Sequence, residues 1–239
     1  MNSHPQHARP ANSKHLRINH KAKRGSASAQ LHESLRDRII QLQLAPGQYL
    51  SRNEIAAEYG VSQTPVRDAL IKLEEEGLID TFPQSKTEVS RIDVEHALET
   101  QFLRLSIELE ITRNLAQAAD PARISNTRSI LAQQSAAMTT GDLDAFSRLD
   151  RSFHLSLYEA AGVANLHTVI DARSGHIDRL RNLNLPDPGK LASIFSCHTR
   201  ILQAIETGNV KDAASVVREH LSGTLAKVDD IRKRHPNFF

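Results

Sequence analysis

Asp150 and His154 stand four residues apart in a stretch of helical periodicity, so both side chains leave one face, a turn apart. His198 lies in a second such stretch beside Ile194, Ile201 and Ile205, and His220 in a third near Val216, Val217 and Leu221. Three imidazoles and a carboxylate drawn from three helices form a donor set for a borderline divalent ion, zinc first, with nickel or manganese as alternatives. Such a site keeps open positions for water or a ligand carboxylate. The chain carries 12 His, so chance spacings are cheap, and on spacing alone each of these histidines reads more readily as an ordinary core or surface histidine than as a ligand. Cys197 adjoins His198 but points about a hundred degrees away on an ideal helix, which argues against a ligand role.

A second chemistry belongs to the run Gly60-Val61-Ser62-Gln63-Thr64-Pro65-Val66-Arg67-Asp68-Ala69-Leu70. Gly60 permits a tight turn, Ser62 or Thr64 can cap a helix, and Pro65 suits a first helical position because its missing N–H is one no helix would use. Val66, Leu70 and Leu73 recur at helical spacing, and Gly77 supplies a left-handed stop. Upstream, Ser51 opens a shorter helix through Tyr59. Two short capped helices joined by such a turn form a helix-turn-helix, whose second helix is shaped to enter a DNA major groove.

Past residue 91 the pattern changes to long amphipathic helices with little strand signal. Asp93 caps a first helix to about Ala118, with Leu98, Phe102, Leu105, Leu109 and Ile111 expected to face a core. Asp120-Pro121 starts a second to about Met138, and a third spans about Asp144 to Ala161. Asn165 opens a fourth to about Asn182, Lys190 a fifth to Glu206, and Val210 a sixth to about Lys233. Short connections make neighbouring helices antiparallel, so a bundle of about six helices is expected. The fold class is mainly α, with an N-terminal winged helix-turn-helix and a C-terminal antiparallel bundle.

The 239 residues have room for two domains, and a formal net charge of +2 means that nucleic-acid binding must rest on a local patch. Residues 1–27 form a basic tail, with Arg9, Lys14, Arg17, Lys21, Lys23 and Arg24 and no acid; few apolar residues mark it as disordered. It lacks the apolar core of a secretory signal, and nothing downstream approaches the length of a membrane span. A single Cys fits a reducing compartment, so a soluble cytoplasmic protein with no membrane partner is expected. No HExxH, nucleophile elbow or Gly-rich phosphate loop is present, and no enzyme activity is expected.

Pro46-Gly47, Asn53-Glu54-Ile55-Ala56, Thr64-Pro65-Val66-Arg67 and Glu76-Gly77-Leu78-Ile79 resemble the winged-helix domain of GntR-family transcriptional regulators, over residues 28–91. The resemblance implies DNA contacts from Arg67 above all, with Arg52, Asn53, Gln63, Thr64 and the wing residue Lys86. Many relatives carry Arg where this chain has Gln63. Gln reads adenine where Arg favours guanine, so the operator sequence does not transfer from the family. The wing run Pro83-Gln84-Ser85-Lys86 also lacks the glycine that relatives often place at its tip. Residues 92–239 carry Asp150-x-x-Phe153-His154-x-x-Leu157, Cys197-His198-Thr199-Arg200-Ile201-Leu202 and Arg218-Glu219-His220-Leu221, which resemble the FCD domain of the FadR subfamily, in its six-helix, VanR-like branch.

In metal-binding members of that domain an Asp and three His hold the ion, and all four positions are filled here by Asp150, His154, His198 and His220. Arg104 matches a position where relatives often place an Arg facing the ligand; its alternative is a surface pair with Glu108 at i,i+4. His176 and Arg179 either face the same pocket or lie on a solvated helix face. The function implied is a homodimeric repressor on a palindromic operator in double-stranded DNA. A small organic acid or cofactor-like carboxylate, bound at the metal-containing pocket, releases it. The alternatives are a metal-dependent enzyme built on a helical bundle with an attached helix-turn-helix, or a regulator whose bundle only dimerises.

Overall fold

A computed structural model describes residues 26–82 and 86–239, so the basic tail and the wing tip at 83–85 lie outside the described residues. The N-terminal domain opens with α1 (Ala27–Ile40), whose first turn is capped by the Ser26 hydroxyl; the helix therefore begins inside the last residue assigned to the tail. Helix α2 (Arg52–Tyr59) is capped by Ser51, and Gly60 ends it in the left-handed region. Helix α3 (Gln63–Glu75) starts after Ser62, but Ser62 makes no side-chain cap bond and Pro65 is the third helical residue, not the first. The Pro ring still costs nothing there, because the N–H groups of the whole first turn lack helical partners. Gly77, at φ +70, turns the chain into the hairpin of β1 (Ile79–Thr81) and β2 (Thr87–Val89), antiparallel with Ile79 opposite Val89. Leu31, Leu35, Val66, Leu70, Leu73, Leu78 and Val89 close one core between helices and wing.

The second domain is helical throughout: α4 (Val94–Ala118), α5 (Ser125–Thr140), α6 (Leu143–Ala160), α7 (Ala164–Arg173), α8 (Gly175–Asn184), α9 (Lys190–Glu206), α10 (Val210–Ser222) and α11 (Val228–Arg234). Ile111, Leu115, Phe153, Leu157, Ile201, Ile205, Val216 and Val217 form its main core. Two of the six expected helices are divided. The fourth breaks at Ser174, where the Gly175 backbone lies so close to Leu78 that a Cβ would stand 2.4 Å from a Leu78 methyl carbon. The sixth ends at Ser222, and a 3-10 turn and α11 follow. The second helix also starts later than expected, at Ser125.

Helix α4 departs from the expected facing at its start, while Ile111 is buried in the core as expected. Thr100, Arg104, Glu108 and Thr112 are buried, whereas Leu98 is 50% and Phe102 75% exposed, with Leu105 and Leu109 half-buried. Leu105 and Leu109 still pack against the main core, so only the start of the apolar stripe points outward, and the polar stripe beside it serves the site inside the bundle. No described helix is long and apolar enough to cross a membrane.

Candidate metal centre and nucleic-acid interface

Helix α6 delivers Asp150 and His154 from adjacent turns, α9 delivers His198, and α10 delivers His220; one ligand atom from each lies within 4.8 Å of the others. A neutral imidazole has one ring proton. His154 Nδ1 donates its proton to Glu108 Oε2 at 2.8 Å, and His198 Nδ1 donates to Gln134 Oε1 at 2.7 Å. Each Nε2 therefore presents a bare lone pair. Both face His220 Nε2, at 3.0 and 3.2 Å, which carries at most one proton and can satisfy only one of them. Asp150 Oδ1 is buried and accepts no hydrogen bond; His198 Nε2, 3.5 Å away, is itself an acceptor in this tautomer. Lone pairs aimed at one centre, with Glu108 and Gln134 orienting the rings from behind, fit a cation. Phe153 stacks on His198 at 3.9 Å between centroids and fixes its plane.

The electrostatics agree. Burial pushes His198 down to about 3, against the pull of Asp150, and burial with the neighbouring His198 and His154 keeps His220 well below the usual histidine range. These imidazoles are neutral at neutral pH, as metal ligands must be. Burial would raise the Asp150 carboxyl, but Arg181 and then the three histidines outweigh it and hold it well below the carboxylate range. Burial opposes ionisation of Glu108 too, yet Arg104 and then His154 leave it at about 2.

The centre opens on a cavity lined by Arg104, Asp150, Arg151, Arg181, Lys190 and His220, among others. Arg104 pairs with Glu108 at 2.6 Å, but as a buried pair and not the surface pair of the alternative, and it lines the cavity. His176 and Arg179 do neither of the things expected of them. They lie on the opposite face of α8, buried at the junction with the DNA-binding domain. Arg179 donates to Ser90 O at 2.7 Å and to His176 Nδ1 at 2.8 Å, and that same Nδ1 accepts from the Asp93 N–H at 2.9 Å. The α8 residues lining the cavity are Ile177, Asp178, Arg181 and Asn182 instead, and Arg181 is ion-paired with Asp150. Sequence reasoning missed Arg181, Arg151, Lys190 and Gln134, none of which carries a local signal. Glu108 was seen only as a partner of Arg104.

On the other domain, Arg52, Asn53, Gln63, Thr64, Arg67 and Lys86 are all exposed. Arg52, Asn53, Gln63 and Lys86 line one cleft, with Tyr49 and Phe82 exposed beside them. Thr64 and Arg67 sit on α3 outside that cleft. Gln63 Nε2 donates to Asn53 Oδ1 at 2.9 Å, and Lys86 lies 2.5 Å from Glu88 and over the Phe82 ring. The two aromatics were not foreseen, since aromatic residues next to strands read as core.

A winged helix with a free recognition face, joined to a helical bundle that holds a buried donor cluster, defines a two-domain transcription regulator. Residues 27–89 match the bacterial regulatory proteins of the gntR family, and residues 99–223 match the FCD domain. An uncharacterized HTH-type transcriptional regulator from an unstable DNA locus of Streptomyces ambofaciens is 37% identical over 87% of this chain and 88% of its own. The HTH-type transcriptional repressor RspR of Escherichia coli K12 is 28% identical over 88% of this chain and 92% of its own. Among solved structures, E. coli McbR/YncC superimposes with a TM-score of 0.71 at 19% identity, covering 87% of this chain and 99% of that one. A GntR regulator from Rhodococcus sp. RHA1 gives 0.69 at 21% identity, covering 85% and 97%. The chain belongs to the GntR family of transcriptional regulators, with an FCD domain as its second half.

Proposed function

We propose that the protein is a repressor that binds a palindromic operator as a homodimer and is released by a small carboxylate-bearing effector. The observation that carries this reading is the donor cluster itself, opening on a cavity that shares α8 with the DNA-binding domain. Asp150, His154, His198 and His220 would hold a divalent ion, zinc by donor type, whose open positions accept a carboxylate oxygen. Arg104, fixed by Glu108, presents its guanidinium to the same cavity. Helix α8 supplies the route outward. Arg181 reaches Asp150, the next residue, Asn182, donates to Ile40 O of α1 at 2.8 Å, and Arg179 grips Ser90 just before the second domain begins. An acid that draws Arg181 away from Asp150 shifts α8, and α8 moves the DNA-binding head. The coupling requires only that the acid bind more tightly in the DNA-free arrangement. The repressor designation of RspR supports release over recruitment.

Native mass spectrometry tests the reading. We expect a dimer with one divalent ion per chain. A dimer that stays metal-free after incubation with zinc, nickel and manganese removes the four-ligand site. The DNA-binding half is checked separately: Arg67→Ala should weaken operator binding by roughly 1–3 kcal/mol in a gel-shift titration, and unchanged affinity takes Arg67 out of the interface.

A further inference from the structure

Four cationic side chains face the cavity beside the metal centre: Arg104, Arg151, Arg181 and Lys190. Two of them are already matched. Arg104 pairs with Glu108, and Arg181 is shared between Asp150 and Asp178. The other two are not. Arg151 finds only the Ser147 hydroxyl at 3.4 Å, and among the described residues neither Arg151 nor Lys190 has an acid within ion-pair distance. Both are only partly exposed, and the Lys190 ammonium is pushed below its ordinary range by burial and then by Arg181. A half-buried cation without a counter-charge is an unfavourable arrangement unless something supplies the anion.

Their placement says where that anion sits. Arg151 follows Asp150 directly on α6. Lys190 opens α9 eight residues before His198, which places it about 12 Å from that ligand along the helix. The unmatched charges thus line the same cavity as the donor cluster, Arg151 next in sequence to Asp150 and Lys190 further along α9, within side-chain reach of a ligand bound beside the cluster.

Resting on the effector-binding reading above, we propose that the effector carries two anionic groups, one directed to the metal centre and Arg104, the other held by Arg151 and Lys190. A monocarboxylate leaves the second pair uncompensated; a short dicarboxylate or a phosphate-bearing acid matches both ends.

The test is calorimetric titration of the zinc-loaded full-length protein with dicarboxylates from malonate to adipate, with monocarboxylates of the same chain lengths, and with phosphoglycolate. We expect at least one dianion to bind tenfold or more tightly than its monoanionic counterpart. Arg151→Gln and Lys190→Met should each erase most of that advantage while leaving monocarboxylate affinity unchanged. Arg151→Lys and Lys190→Arg should retain it, which separates lost charge from lost folding. A preference for phosphoglycolate or for a dicarboxylate identifies which anion the pair takes. Equal affinity for monoanions and dianions, or a dianion preference that survives both neutral substitutions, overturns the proposal and leaves the effector reading standing. If no acid of either class binds, both fall.

Discussion

At the scale of single residues, the donor cluster depends on groups outside its four members. Glu108 accepts a hydrogen bond from His154 Nδ1 and pairs with Arg104, so one carboxylate sets both the tautomer of His154 and the position of a cavity-facing guanidinium. Glu108→Gln keeps the shape and removes the charge. We expect zinc affinity to fall roughly 10–100-fold in competition with a chelator, as is usual when such a partner is lost; unchanged affinity means His154 does not depend on it. The link from Glu108 to His154 was not legible in the sequence. The i,i+4 spacing of Arg104 and Glu108 announced a pair, but a surface pair and a buried one have the same spacing. The four members of the donor cluster were legible because helical spacing put two of them on one face and the family motifs pointed to the others.

At the scale of elements, α8 is the joint of the molecule. Its start is set by Gly175, whose backbone packs against Leu78 of the DNA-binding domain. Gly175→Ala should destabilise the protein by roughly 1–3 kcal/mol through overpacking, and Leu78→Ala in the same chain should recover part of that loss. Thermal denaturation of the two single variants and the double variant measures this; purely additive losses contradict the contact. The same joint is sensitive to acid. His176 is held at about 3 against an ordinary 6.5, by burial first and then by Arg179 and His96, with Asp93 opposing. Its folded pKa is lower than its unfolded one, so its contribution to stability is full above 6.5 and is lost as pH falls toward 3. The metal-free protein should melt at progressively lower temperature from pH 7 to pH 5. Because other buried histidines titrate in the same direction, the informative quantity is the difference: a shallower slope in His176→Gln. An identical slope places the acid sensitivity elsewhere.

At the scale of the whole molecule, the outward stripe of α4 is the surface that a homodimer would cover. Leu98 and Phe102 are exposed large apolar side chains on a helix whose opposite face is buried, and α7, packed beside α4, exposes Leu166 and Val169. Isolated apolar residues on a surface mean little, but a row of them along one helix is the mark of an interface. Phe102→Glu should shift the protein toward monomer in light scattering and weaken operator binding, since each head then finds its half-site alone. A stable dimer in that variant moves the interface to another face.

What the sequence determined by itself was local. Caps at Ser51 and Asp93, left-handed stops at Gly60 and Gly77, and the spacing of Asp150 and His154 depend on neighbours in the chain, and they fold as their residue types dictate. The run of family motifs then fixed the two-domain organisation. The tertiary structure alone decided which way each helix faces. Periodicity reveals that α4 has an apolar and a polar stripe, yet burying the polar one is favourable only because Glu108 and Arg104 find each other and His154 inside. Periodicity likewise gave no reason to break a helix at Ser174; the break coincides with the close approach of Leu78 to Gly175, and after it His176 and Arg179 face the junction and Arg181 faces the donor cluster. Contacts between segments far apart in sequence leave no local pattern, because the free energy that selects them exists only once both partners are in place.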